Sequence, residues 1–316
     1  VQITYRGIVP VNKNYYSKES LIQRLILRKK ETLFKWITSN SLPLFLRGRD
    51  VISVAPQIYG YYEIRIKDLI EHYAKNGYGD FLIDIGANIG LSTCQSGDYF
   101  KEVHCYEPNP NCFNILMVNT KISLNKCKVY LNKFGLGSED ATNTLYVPRG
   151  NWGGGFIHDE NNSYDDDELG SKDGYTKLDL EKYDAMPILI QSAPNKLKEL
   201  FLSLIEKNLL NGFIKIDVEG YEPLILKSIA QVIPDNLKVI ILFECFTKNL
   251  SPENLLSNFN GRAEAYKLVR NPPKNTSKIK RFFKIIAQFG YRFELEKFSV
   301  ENTSTDIVFI VNSASA

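Results

Sequence analysis

The chain has 316 residues, 44% of them hydrophobic and 24% charged, with a formal net charge of +3. That length and apolar content are enough for a full buried core, in one large domain or two small ones. No apolar run reaches the ~18 residues of a membrane span. The five cysteines (94, 105, 112, 127, 245) include no Cys-x-x-Cys pair, which argues for reduced thiols in a cytoplasmic protein and against a zinc site. No signal-peptide pattern is present.

The charge is unevenly placed: residues 1–50 carry ten Lys and Arg against three acids, so that part is +7 and the remainder −4. Within it, Ser17 to Asn40 reads as one helix with Ser17 as N-cap. Leu21, Ile22, Leu25, Ile26, Leu33, Phe34, Trp36 and Ile37 supply its apolar face, and Arg24, Arg28, Lys29, Lys30 and Lys35 its charge. Two readings stand: a helix packed on the rest of the chain with a solvated basic edge, or attachment of residues 17–40 to a membrane surface or an acidic partner. Residues 1–57 are accordingly read as a basic, largely helical extension and residues 58–316 as the main domain.

From about Gln57 strands and helices alternate. A helix is predicted over Glu63 to Asn76, with Gly77-Tyr78-Gly79-Asp80 as its stop. The strand Phe81-Leu82-Ile83-Asp84-Ile85 then runs into Gly86-Ala87-Asn88-Ile89-Gly90 and a helix start at Leu91. Continuous apolar character, a glycine turn and a helix start are the opening of a nucleotide-binding α/β unit. Asn88 and Leu91 stand where a dinucleotide loop needs glycine, so a nicotinamide cofactor fits poorly. A ligand with an adenosine and a charged amino-acid arm fits better. Val103 to Tyr106 is a second strand, Asn111 to Ile122 a helix, and Lys128 to Asn132 a third strand.

Between Trp152 and Tyr183 the regular pattern lapses, and His158 to Asp184 holds ten acids against three lysines. We expect an acidic loop insertion over about 151–210, solvated or closing over the site as a lid. Asp165-Asp166-Asp167-Glu168 suggests a calcium loop, but Leu169 and Thr176 occupy positions that require ligands, which rejects it. Trp152 either stacks on a sugar face or packs its loop onto the sheet. Phe213 to Asp217 is then a strand, Pro223 to Ile229 a helix and Lys238 to Glu244 a strand. A helix near Lys280 to Gln288 and Gly290 precede strands at Tyr291–Lys297 and Asp306–Val311, which are close enough for an antiparallel hairpin. The alternation predicts a mostly parallel sheet with helices on both faces.

Ligands of such sheets sit beyond the carboxyl ends of the strands. Asp84 closes the first strand, and Glu107 the second, 21 residues after Gly86. That is close to the spacing at which an acid accepts hydrogen bonds from two ribose hydroxyls. Asp217 closes a third, followed by Val218-Glu219-Gly220-Tyr221-Glu222-Pro223. Glu219 and Glu222 also suit the start of the helix that Pro223 opens.

These segments together, Asp84 to Gly90, Tyr106-Glu107-Pro108-Asn109, Lys215 to Gly220 and the closing Asp306-Ile307-Val308-Phe309, resemble the FkbM family of S-adenosylmethionine-dependent methyltransferases. The resemblance covers roughly Tyr61 to Ile310. The first motif alone would indicate only a Rossmann-like class I methyltransferase; the Asp-Val-Glu-Gly run makes the match family-specific. It implies a seven-stranded, mostly parallel α/β sheet with an antiparallel edge hairpin, and O-methylation of a hydroxyl on a sugar of a glycan or glycoconjugate. It further implies that Asp84, Gly86, Asn88 and Gly90 wrap the methionine arm, that Glu107 takes the ribose, and that Phe134 and Gly135 border adenine. The basic extension and the long segment before the fourth strand depart from the family core.

Methyl transfer from a sulfonium needs alignment and exclusion of water, and a sugar hydroxyl gains from a base within hydrogen-bond reach. Asp217 is the expected base, with Glu219, Glu244 and His158 as the other candidates. Asp217 and Glu244, at the ends of adjacent strands, are alternatively a Mg2+ pair, a thin ligand set for that ion. Two rival functions are a nucleic-acid methyltransferase, which the net acidic main domain argues against, and a methyltransferase-like binding domain without catalysis, which the intact glycine loop argues against.

Overall fold

A computed structural model describes residues 21–48, 50–172, 178–245, 252–271, 277–286, 292–298 and 305–313. Ser17, Gly290 and Tyr291 lie outside them. In chain order, α1 (Leu21–Ile37), α2 (Val51–Tyr59) and α3 (Ile64–Tyr73) lead into β1 (Phe81–Ile85). Then come α4 (Leu91–Ser96), β2 (Glu102–Tyr106), α5 (Pro110–Ser123), β3 (Lys128–Asn132), β4 (Gly135–Gly137), β5 (Ala141–Pro148), β6 (Phe156–Ile157), α6 (Asp166–Lys172) and β7 (Tyr183–Ser192). The last part holds α7 (Ala193–Glu206), β8 (Asn211–Ile216), α8 (Glu222–Val232), β9 (Lys238–Cys245), α9 (Pro252–Ser257), β10 (Ala263–Asn271), α10 (Lys278–Ile286), β11 (Arg292–Lys297) and β12 (Thr305–Val311).

An eight-stranded sheet runs in the order β11-β10-β12-β9-β8-β1-β2-β3. The five strands from β9 to β3 are mutually parallel. Successive residues of a strand point to opposite faces, and the core divides accordingly. Phe81, Ile83, Ile85, Ile214 and Ile241 face Leu197 and Phe201 of α7 and Ile225 and Ile229 of α8. Leu82, Val103, Phe213 and Ile240 face Ile66 and Ile70 of α3 and Leu116 of α5. Helices therefore cover both faces, as the apolar runs predict.

The sheet has eight strands rather than the seven expected. The extra one is β10, whose sequence AEAYKLVRN mixes Glu264, Lys267 and Arg270 with the apolar residues and hides its period. It pairs antiparallel with β12 on one side and β11 on the other. The predicted hairpin between the last two strands is thereby corrected: they are separated by β10, and the antiparallel edge is three strands wide. A second sheet, β4-β7-β5-β6, occupies part of the region read as irregular. Its backbone is the antiparallel pair of β5 and β7, from Ala141↔Ile190 to Pro148↔Tyr183.

Candidate active site

Strand order reverses between β1 and β8, with β2 and β3 on one side and β9 on the other. The crevice at such a switch point is where an open α/β sheet binds its ligand. The turn after β1 is built for close approach. Gly86 has φ +83° and Asn88 φ +51°, and the Gly86 and Ala87 amides both donate to the Tyr106 carbonyl, at 3.0 and 3.1 Å. A Cβ on Gly86 would overlap the Asp217 carbonyl. Gly86→Ala is therefore expected to cost at least about 2 kcal/mol, from left-handed strain plus that overlap. Gly77→Ala, at φ +101° with open space around the added methyl, should show the strain alone. Urea unfolding of the two variants measures the difference.

The cleft beyond this turn holds about 730 Å³, its open mouth included, and is lined by Gly86, Asn88, Glu107, Pro108, Asn109, Gly135, Asp217 and Glu219. The second sheet supplies an apolar wall, Leu136, Leu145, Ile157 and Ile190, with Trp152 and Gly153 beside it. Glu107 is buried; its Oε2 accepts from the Asn88 amide and its Oε1 from the Asn109 amide, both at 2.7 Å. Burial pushes its carboxyl up to about 7 against those two hydrogen bonds, and the charges of Asp84 and Asp217 add to the rise. Two cleft residues hold buried polar atoms with no hydrogen-bond partner, Asn88 Oδ1 and Asn109 Nδ2. One acceptor, one donor and a carboxylate with spare lone pairs suit a nucleoside with its ribose hydroxyls.

The remaining expected cofactor residues stand outside that lining. Asp84, 1% exposed, accepts from Thr93 Oγ1 at 2.6 Å and lies 3.8 Å from Lys215 Nζ. Burial raises its pKa, opposed by Lys215 and Thr93. Gly90, φ +87°, lets α4 approach α5: a Cβ there would sit 2.7 Å from Leu116 Cδ1. Phe134 packs edge-on against Tyr106 at 5.6 Å.

Lys215 connects the site to its second half. Buried on β8, it donates to Asp217 Oδ2 at 2.8 Å. Burial alone would lower its pKa, but Asp217 and Asp84 more than offset this and hold it above its ordinary value. Asp217 lines both the cleft and an adjoining pocket of about 230 Å³, shared with Glu63, Lys215, Glu244 and Asp306. Burial, then Asp217, Asp306 and Glu63, push the Glu244 carboxyl up to about 8. Burial likewise raises Glu63 and Asp306, Asp306 being paired at 3.5 Å with Arg65.

Asp217 and Glu244 thus share a pocket, and Asp217 and Glu219 share the cleft, whereas His158 lines neither: it is exposed and pairs with Asp166 at 2.9 Å. Glu222 caps the turn, accepting from the Val218 and Gly220 amides at 3.0 and 2.9 Å. Among the described residues no group of three or more His, Cys, Asp or Glu side chains is placed to hold a metal.

Sequence reasoning missed the support of Trp152. The Arg47 guanidinium lies 4.0 Å over its ring, and Asp50 holds Arg47 at 3.2 Å and the Trp152 amide at 3.5 Å. The arginine was visible in the basic segment, but its partner lies about a hundred residues away. Residues 84–293, well over half of the chain, match the family described as the methyltransferase FkbM domain.

This chain belongs to the FkbM methyltransferase family. It is a methyltransferase. No curated protein sequence matches it. Many solved structures share its fold, among them the following three. The precorrin 8w decarboxylase of Methanobacterium thermoautotrophicum is 11% identical, with 84% of this chain and 99% of that one covered, at TM-score 0.37. The precorrin-6y C5,15-methyltransferase of Geobacter metallireducens is 10% identical, with 86% and 95% covered, at 0.38. The O-methyltransferase of Bacillus cereus in complex with SAH is 11% identical, with 94% and 92% covered, at 0.37.

Proposed function

We propose that this FkbM methyltransferase methylates a hydroxyl, that of a sugar in a glycan or glycoconjugate, in the cytoplasm. The observation that carries this reading is that Asp217 lines the cleft and the acid-lined pocket at once. A residue so placed touches the donor on one side and the acceptor on the other. Bound S-adenosylmethionine supplies an activated methyl group on sulfur. Glu107 accepts from the ribose hydroxyls, Asn88 and Asn109 pair their free polar atoms with the nucleoside, Gly86 admits the methionine arm, and Gly135 borders adenine. Asp217 would receive the acceptor's hydroxyl proton on Oδ1 while Lys215 holds Oδ2, as the acceptor oxygen bonds to the methyl carbon and the carbon–sulfur bond breaks with its electron pair left on sulfur, giving the neutral thioether. The apolar wall keeps water from competing.

The acceptor side holds Glu63, Asp217, Glu244 and Asp306 against Lys215 and Arg65. Glu244, pushed up to about 8, is largely protonated at neutral pH and offers a hydrogen-bond donor, while the ionised carboxylates repel phosphate and accept from a neutral polyol, which favours a sugar over a nucleic acid. The test is transfer of labelled methyl to neutral oligosaccharides, phosphorylated sugars and nucleic acids, read by mass spectrometry. Methylation of nucleic acid alone would sink the sugar reading. We further propose that no Mg2+ takes part: chelation should leave the initial rate within about twofold, whereas a metal-held hydroxyl would lose most of it. A loss restored by Mg2+ would hand Asp217 and Glu244 the metal role. Residues 17–40 are proposed as a peripheral contact with a membrane or an acidic partner, with α1 within their described part, 21–40.

A further inference from the structure

α10 carries no part of the site described above. Its sequence, KIKRFFKII, sets Ile279, Phe282, Phe283 and Ile286 at i, i+3, i+4 and i+7, one face of a helix. Ile279 is 71% exposed, Phe282 61% and Phe283 63%. The two phenyl rings meet edge to face at 6.1 Å, so they form one apolar knob. Every other residue up to Lys284 is Lys or Arg, and the helix contains no acid. Bulky apolar groups left in water beside an unbroken set of cations mark a surface meant for something both apolar and negatively charged.

We propose that α10 docks the protein on an anionic lipid bilayer, lying in the plane of the headgroups. Ile279, Phe282 and Phe283 enter the acyl boundary, and Lys278 and Lys280 meet the lipid phosphates. The charge complementarity is with phosphate. A nucleic acid would satisfy the cations but leave the two phenyl groups and Ile279 unburied, whereas the lipid boundary accepts both. α1 has the same chemistry on an element far away in sequence. Its Phe34 and Trp36 are exposed, and it carries Arg24, Arg28, Lys29, Lys30 and Lys35 against one acid, Glu31. The proposal goes beyond the reading of the acceptor and does not depend on it.

The test is co-sedimentation of the full chain with phosphatidylcholine vesicles, with or without phosphatidylglycerol. Wild type should pellet with the anionic vesicles, remain in solution with the neutral ones and be released by high salt. The Phe282→Ser/Phe283→Ser variant should partition at least about tenfold less, and Lys278→Glu/Lys280→Glu should lose the preference for anionic lipid. Unchanged S-adenosylmethionine affinity and thermal midpoint in both variants show that the fold is intact. No binding of wild type to anionic vesicles overturns the proposal. So does equal binding of the serine variant, which would leave α1 or another surface responsible. Release from vesicles by soluble polyglutamate, with the serine variant binding that polymer as wild type does, would likewise overturn it in favour of an acidic protein partner.

Discussion

Asp217→Asn is expected to lower methyl transfer by about two to four orders of magnitude while leaving S-adenosylmethionine affinity within about threefold. Asparagine keeps the shape of the side chain and an oxygen for Lys215, which now bonds Asp217 Oδ2 at 2.8 Å. What it loses is the basicity to take a proton from the acceptor. The side chain of Asp217 is 38% exposed even with Lys215 beside it, so an acceptor can reach it. The loss should fall on kcat, because the missing interaction forms only as the hydroxyl becomes nucleophilic. Lys215→Met is a contrasting change. It strips the cation from two carboxylates, one of them the buried Asp84, and should destabilise the protein by about 3–5 kcal/mol. Retained turnover in Asp217→Asn, measured with calorimetric confirmation of cofactor binding, would move the base to Glu219 in the cleft or Glu244 in the pocket.

The parts of the site that the sequence made readable are those fixed by local backbone demands. Phe81 to Ile85 is buried throughout, and a strand buried on both faces reads as an apolar run, broken here only by Asp84. Its turn must take positive φ at Gly86 and Gly90, which only glycine does cheaply. Asp84, Glu107 and Asp217 were thereby placed at the ends of neighbouring strands before any contact was known. What those residues touch was less legible. Asp84 reads as a cofactor acid from its position, yet its partners are Thr93, nine residues on, and Lys215 on the next strand. Gly90 reads as part of the loop from its positive φ, but the packing of Leu116 of α5 against it adds a second constraint. The second sheet was hidden for another reason. β5 and β7 pair across a long separation, each has an exposed face, and Pro187 interrupts the apolar part of β7. Neither strand has a strong period alone; each gains its place only from the other.

Affinity for S-adenosylmethionine is expected to rise about tenfold between about pH 6 and about pH 8 and to level off above, because burial pushes the Glu107 carboxyl up to about 7. Only the ionised carboxylate offers both oxygens as acceptors, and it is about one-tenth populated at the lower pH and nine-tenths at the upper. Binding should therefore release protons near pH 7, visible as a buffer-dependent heat. Glu222, pushed to about 7 chiefly by burial, and Glu244, at about 8, titrate in the same range. Glu107→Gln separates them: its affinity should fall at least tenfold at about pH 8, and its binding profile should lose the rise. The same carboxyl sets a sign for stability. Its folded pKa lies above the ordinary 4.5, so the native chain holds a proton that the unfolded chain has already lost. That contribution is full below pH 4.5 and disappears as the pH climbs through 7, so the free protein grows less stable across that interval. In Glu107→Gln the decline should be shallower by one carboxyl, while Glu222 and Glu244 keep the rest. A wild-type binding curve flat from about pH 6 to about pH 8 would mean that the ribose does not sit on Glu107.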